Sequence, residues 1–269
     1  MTNENPIGIF DSGIGGLTVA QAVTKALPHE SIVYFGDTAH LPYGDKSAAA
    51  IQAYSVKICD VLLKQNCKMI LIACNSASAA AYELVKEYVG SKAKVLNVID
   101  PVVQYAGQQF ASQTIGLIGT KQTVFSKVYE KKIKALKKKV TLKSLATPLL
   151  APMIEEGFFN NTISYSVIEK YLQDSHLNDI QALILGCTHY PLIKKEIEQL
   201  YKNSIQIIDT SEIVAEAVKE SLRTENLLSA STAKATQHFF VSDYTQSFEA
   251  STRIFFNKKV HLEQYKLWE

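Results

Sequence analysis

Excess charge of either sign is scarce in this 269-residue chain: 28 basic residues face 26 acidic ones, leaving a formal net charge of +2. A protein built to hold nucleic acid carries a strongly basic face for its phosphate contacts, so no nucleic-acid partner is expected. Long apolar runs are missing too. None approaches the roughly 18 residues that a membrane span requires, and the opening Met1-Thr2-Asn3-Glu4-Asn5-Pro6 is polar with only a short apolar run behind it. No membrane contact and a cytoplasmic location are the expectations. Four cysteines, at 59, 67, 74 and 187, never fall in a Cys-x-x-Cys spacing, which argues against a disulfide framework or a zinc ribbon. Reduced thiols follow, the state in which cysteine can exchange protons.

What is present is ordinary in bulk: 47% hydrophobic and 20% charged residues, in a chain long enough for two domains. The one dense charge run, Lys131 to Lys139, has Ile133, Leu136 and Val140 at helical spacing, and is read as a solvated helix face.

Two short apolar runs end alike: Met69-Ile70-Leu71-Ile72-Ala73-Cys74-Asn75-Ser76 and Ala182-Leu183-Ile184-Leu185-Gly186-Cys187-Thr188-His189. Each reads as a buried strand handing the chain to a loop with a cysteine and small polar groups. A second pair lies upstream, where Ile7-Gly8-Ile9-Phe10-Asp11-Ser12 resembles Ile115-Gly116-Leu117-Ile118-Gly119-Thr120. The offset is 108 from Gly8 to Gly116 and 113 from Cys74 to Cys187, so both pairs describe one internal duplication. A repeat of about 110 residues is too long for a solenoid unit and implies two related domains facing one another. Each side would give one cysteine to the cleft.

Strand-like runs at 6–11, 31–36, 69–73 and 94–98 alternate with helical stretches at about 15–27, 47–65 and 77–89. The rhythm restarts at 114–119 and reaches 182–186 and 205–208. It predicts an α/β protein of two pseudo-symmetric three-layer domains with mainly parallel sheets and an interdomain active site. Gln237–Val241, with a helix through Phe256, is read as returning to the first domain, giving 1–98 with 210–269, and 99–209.

Gly13-x-Gly15 after a strand evokes dinucleotide binding, but Thr18 stands where a third glycine belongs and no Lys-Ser/Thr ending follows. A tight turn bringing backbone N–H groups to a small anion is preferred; the plainer alternative is that Asp11 caps the next helix. A strand-end cysteine is often a small buried hydrophobe, and Cys59 and Cys67 are read so. Cys74 and Cys187, in duplicated settings, are read as an acid–base pair. Both loops are expected to open helices whose dipoles favour thiolate. His189 beside Cys187 and Asp11 on the other side are the candidate proton partners. Zinc on Cys187 and His189 lacks further ligands at plausible spacing.

Phe10-Asp11-Ser12-Gly13-Ile14-Gly15-Gly16-Leu17, Gly36-Asp37 with Pro42-Tyr43-Gly44, Ala73-Cys74-Asn75-Ser76-Ala77-Ser78 and Leu185-Gly186-Cys187-Thr188-His189-Tyr190-Pro191-Leu192 together closely resemble the glutamate racemases of the aspartate/glutamate racemase family. The match runs in order from Ile7 to about Asp209, with Ser76 where the family usually has threonine. The resemblance implies cofactor-independent racemisation of glutamate for peptidoglycan synthesis, with Cys187 as base and Cys74 as donor for the L enantiomer. It implies assistance by Asp11 and His189, a carboxylate, Glu155, near the histidine, and substrate binding by Asp11, Ser12, Tyr43, Gly44, Asn75, Ser76, Thr188 and His189. It further implies a homodimer with no cofactor and no metal; no lysine lies in a pyridoxal-phosphate-like context. The rivals are aspartate racemisation, a Cys–His amidase or transferase built on Cys187 and His189, and a noncatalytic module for acidic ligands.

Overall fold

The computed structural model describes residues 2–231 and 235–269. Its first part runs β1 (Ile7–Asp11), α1 (Leu17–Ala26), β2 (Ile32–Gly36), α2 (Ala48–Lys64), β3 (Met69–Ile72), α3 (Asn75–Val89), β4 (Lys94–Asn97) and α4 (Ile99–Gln109). Then come β5 (Thr114–Gly119), α5 (Lys121–Phe125), α6 (Val128–Ala135), β6 (Thr141–Ala146), α7 (Leu150–Glu155), α8 (Thr162–Leu172), β7 (Ala182–Gly186), α9 (Lys194–Leu200), β8 (Gln206–Ile208) and α10 (Thr210–Thr224). The chain closes with β9 (Gln237–Val241), α11 (Gln246–Phe256) and β10 (Glu263–Gln264).

Among the described residues these strands form two wholly parallel sheets, β10-β9-β2-β1-β3-β4 and β6-β5-β7-β8. The order β2-β1-β3-β4 recurs as β6-β5-β7-β8, which is the duplication written in topology. Register agrees as well. Gly8 pairs with Ile70 and Gly116 with Leu183, so the glycine strand and the cysteine strand meet at equivalent points in both sheets. Parallel strands carry all their leaving loops at one end, so Asp11, Cys74, Thr120 and Cys187 emerge at carboxyl edges, where such sheets bind ligands.

Alternation along β1 explains the layering. Ile7 and Ile9 point to a core shared with α1, α4, α10 and the second sheet, while Phe10 points to another packed by α2, α3, Tyr265 and Leu267. Gly8 lies against Cys67, whose sulfur would be 3.0 Å from any Cβ there, so Cys67 fills the space the glycine leaves. Cys59 is buried within α2. The returning strand β9 pairs with β2, and β10 with β9, so both extra strands extend the first sheet at one edge.

Three local expectations need correction. The 141–146 segment is a strand that sequence reading passes over, because an edge strand of half-buried Leu142, Lys143, Ser144 and Leu145 has no clean apolar run. The lysine run is helical only to Ala135: Lys137 and Lys139 take left-handed backbone (φ 55° and 56°) as the chain turns out towards β6, and Val140 falls outside the helix. Cys187 opens a short 3-10 turn at Tyr190–Ile193 rather than an α-helix.

Candidate active site

Asp11 ends β1 fully buried, and its Oδ2 accepts the backbone N–H groups of Gly13 (3.2 Å) and Gly16 (3.0 Å). Those two amides are therefore taken by the chain's own carboxylate, which braces the loop without capping α1, whose N-cap Gly16 has no side-chain cap. Gly15 has another reason to be glycine: a Cβ there would lie 2.3 Å from His189 Cε1. Close approach of the two halves requires that missing methyl. Beside it, Thr18 Oγ1 donates to the Thr188 carbonyl at 2.9 Å, joining the α1 side to the Cys187 loop.

Cys74 follows β3 and is the N-cap of the 15-residue helix α3, its sulfur accepting the Ala77 N–H at 3.4 Å. The same sulfur lies 3.7 Å from Ser12 Oγ. The expected lowering of its pKa does not occur. Burial, aided by the Asp11 carboxylate, pushes the thiol up to about 12, outweighing the favourable Ala77 and Ser12 contacts. Cys74 therefore stays a protonated thiol at neutral pH. Burial also raises Asp11 above the usual carboxylate range, partly offset by His189 and by the Gly16 and Gly13 N–H groups.

Cys187 sits one residue beyond β7, with His189 Nδ1 3.5 Å from its sulfur. His189 Nε2 meets Glu155 Oε1 at 2.8 Å, from the end of α7. Burial works against protonating this imidazole, but Cys187 and Glu155 prevail and hold its pKa well above the ordinary histidine value. A relay of sulfur, imidazole and carboxylate results.

These groups enclose a cavity of about 30 Å³ walled by Ser12, Tyr43, Gly44, Cys74, Asn75, Ser76, Glu155, Cys187, Thr188 and His189. Asp11 lies behind this wall. A void of that size holds about two waters, less than the volume of an amino acid. A far larger depression, about 1040 Å³ beside α4, β8 and α10, contains none of these residues. Asn75 offers its side-chain carbonyl to Tyr129 at 2.8 Å, while its buried amide nitrogen has no partner among the described residues. Ser76 Oγ lies 2.8 Å from Thr120 Oγ1, and Tyr43 gives its hydroxyl to Asp37 at 2.7 Å.

Thr120 lines the cavity and was not among the candidate residues. The repeat carried the signal, since Thr120 stands in the second half where Ser12 stands in the first. Among the described residues no group of three or more His, Cys, Asp or Glu is arranged to hold a metal ion.

Two thiols thus line one small cavity at matched strand ends, Cys74 beside Ser12 and Cys187 beside His189. The chain belongs to the Asp/Glu/Hydantoin racemase family, whose model matches residues 17–218, and is an enzyme of the isomerase class, an amino-acid racemase. It is 42% identical to a glutamate racemase of Chlorobaculum tepidum over 95% of this chain and 93% of that one. Its structure superposes on a crystal structure of glutamate racemase from Francisella tularensis in complex with D-glutamate with a TM-score of 0.92, at 36% identity over 99% of both chains. A glutamate racemase from Thermus thermophilus in complex with β-chloro-D-alanine gives a TM-score of 0.89 at 34% identity over 98% of both.

Proposed function

We propose that this racemase interconverts L- and D-glutamate by a two-base mechanism that needs no cofactor, supplying D-glutamate for peptidoglycan synthesis. The observation that carries the reading is the pairing of Cys74 and Cys187 across one cavity, each with a different polar neighbour, Ser12 for Cys74 and His189 for Cys187. For L-glutamate, the Cys187 thiolate takes the Cα proton and becomes a thiol. The Cys74 thiol then gives its own proton to the opposite face of Cα and becomes a thiolate. One C–H bond breaks and one forms, so configuration inverts with no net change in protonation, and the D enantiomer runs the sequence backwards. A Cys74 held protonated suits the donor role. His189 and Glu155 serve Cys187, while Asp11 acts on Cys74 from behind the wall.

Ser12, Asn75, Ser76, Thr188 and His189 present hydroxyl, amide and imidazole groups to the substrate, and Tyr43 with Gly44 closes one side. The unpartnered Asn75 amide is a donor suited to a carboxylate. The domain reading that goes with this chemistry joins 1–98 to 210–269 and sets 99–209 opposite. A cytoplasmic homodimer completes it, and sedimentation checks the assembly.

The deciding experiment is incubation of each glutamate enantiomer in deuterium oxide. In the first turnovers, deuterium should appear at Cα of the product enantiomer and not in the remaining substrate. Deuterium appearing equally in both would mean one shared base and would overturn the two-base reading. Comparing turnover of glutamate with that of aspartate settles the substrate, and trapping of an acyl-enzyme on Cys187 would favour the amidase alternative.

A further inference from the structure

Asp37, directly after β2, is fully buried and takes no part in the proton transfers above, yet four side chains converge on its two oxygens. Tyr43 OH (2.7 Å) and His40 Nδ1 (3.0 Å) meet Oδ2, while Ser242 Oγ (2.7 Å) and the Trp268 indole N–H (2.9 Å) meet Oδ1. The carboxylate thus ties together a cavity-lining tyrosine and the second-to-last residue of the 269-residue chain. Burying a carboxylate is costly unless its lone pairs are filled, so each of these donors carries weight.

The 37–45 stretch has few backbone bonds of its own, chiefly His40 N–H to the Asp37 carbonyl and Lys46 N–H to that of Tyr43. Tertiary contacts hold it instead. On its far side Gly44 packs on Thr120, where a Cβ would come within 2.9 Å, and Asp45 pairs with Lys121 at 3.1 Å. On its near side the Trp268 ring meets His40 edge-on at 4.5 Å and Tyr54 at 5.3 Å, with Lys57 Nζ 5.2 Å above it. Behind the ring, β10 pairs with β9, and Tyr265 and Leu267 pack on the core around Phe10. The tail is therefore anchored independently of the loop and can act on it.

We infer that Trp268 is a positioning residue for substrate binding: by donating to Asp37 it fixes the carboxylate that fixes Tyr43, and so sets the Tyr43–Gly44 wall of the cavity. The inference rests on the racemase reading of that cavity. Trp268 lies outside the proton relay, so its effect belongs in binding and not in chemistry.

Trp268→Phe keeps an aromatic ring and removes the indole N–H. It should raise KM for glutamate about three- to tenfold in both directions and leave kcat within about twofold, with a modest fall in melting temperature because a donor to a buried carboxylate is lost. Because Trp268 is the sole tryptophan in the sequence, its fluorescence gives a second readout in the unaltered enzyme. Glutamate should shift the emission with a midpoint near KM, and Tyr43→Phe should blunt that shift by cutting the link to Asp37. An unchanged KM in Trp268→Phe, a fall in kcat as large as the rise in KM, or emission indifferent to saturating glutamate would each overturn the inference. An unaltered enzyme that fails to racemise glutamate would instead overturn the functional reading on which it stands.

Discussion

The two halves of the cavity share one topology and differ in chemistry. Cys74 and Cys187 leave equivalent strands, and Ser12 and Thr120 occupy equivalent loop positions. At the place of Asp11, however, the second half has Gly119, and at the place of His189 the first half has Ser76. One side has therefore placed its ionisable partner at the end of the first strand, and the other two residues beyond its cysteine. The consequence is electrostatic. Around Cys74 burial and a carboxylate keep the proton on sulfur, whereas around Cys187 an imidazole backed by Glu155 stands ready to exchange one. On the proposed two-base reading, a symmetric scaffold offers unlike groups to the two faces of one carbon, and each enantiomer meets them in opposite order.

The harshest way to break the comparison is to remove either sulfur. Cys74→Ala and Cys187→Ala should each lower racemisation at least about a thousandfold, since each deletes an acid–base group needed in both directions. Circular dichroism should be unchanged. Racemisation surviving in either variant would mean that the halves are not both required.

A smaller effect sharpens the asymmetry. His189→Asn should lower kcat/KM by about a hundredfold and Asp11→Asn by about tenfold, because His189 lies against its sulfur while Asp11 acts through buried space. Enantiomers have equal free energy, so kcat/KM must fall equally in both directions. The difference should appear in kcat, with His189→Asn and Asp11→Asn slowing opposite directions more. Identical kcat losses in both directions would show that the two partners do equivalent work.

The smallest effect is on stability. Cys74 ionises near 9 in the unfolded chain and at about 12 in the fold, so the unfolded state alone loses its proton between these values. A raised folded value means stability that is complete below about pH 9 and falls as pH climbs towards 12. Relative to Cys74→Ser, the native protein should lose up to about 1.4 kcal/mol of unfolding free energy per pH unit over that interval. Urea unfolding at about pH 8 and about pH 10.5 measures it, and a constant difference would remove the burial argument for Cys74.

Much of the architecture was legible because period and repetition are properties of the chain. The runs ending at Ile72 and Gly186 declare buried strands, and their matched spacing declares two sheets. Segments whose environment is mixed were harder: the 141–146 strand alternates poorly at a sheet edge, and the helix after Lys131 stops where tertiary turns require it. For the glycine loop, sequence left two readings open, and only coordinates show that Gly13 and Gly16 serve Asp11 while Gly15 makes room for His189.

By itself the sequence determined the fold class and the duplication that sets two cysteines at matched strand ends, since these follow from local pattern and from residue chemistry. Tertiary structure alone decided which polar groups face which sulfur, that Cys74 is buried enough to hold its proton, and that the last stretch of chain reaches back to Asp37. Those are matters of distance and dielectric between residues far apart in sequence, and no spacing rule encodes them.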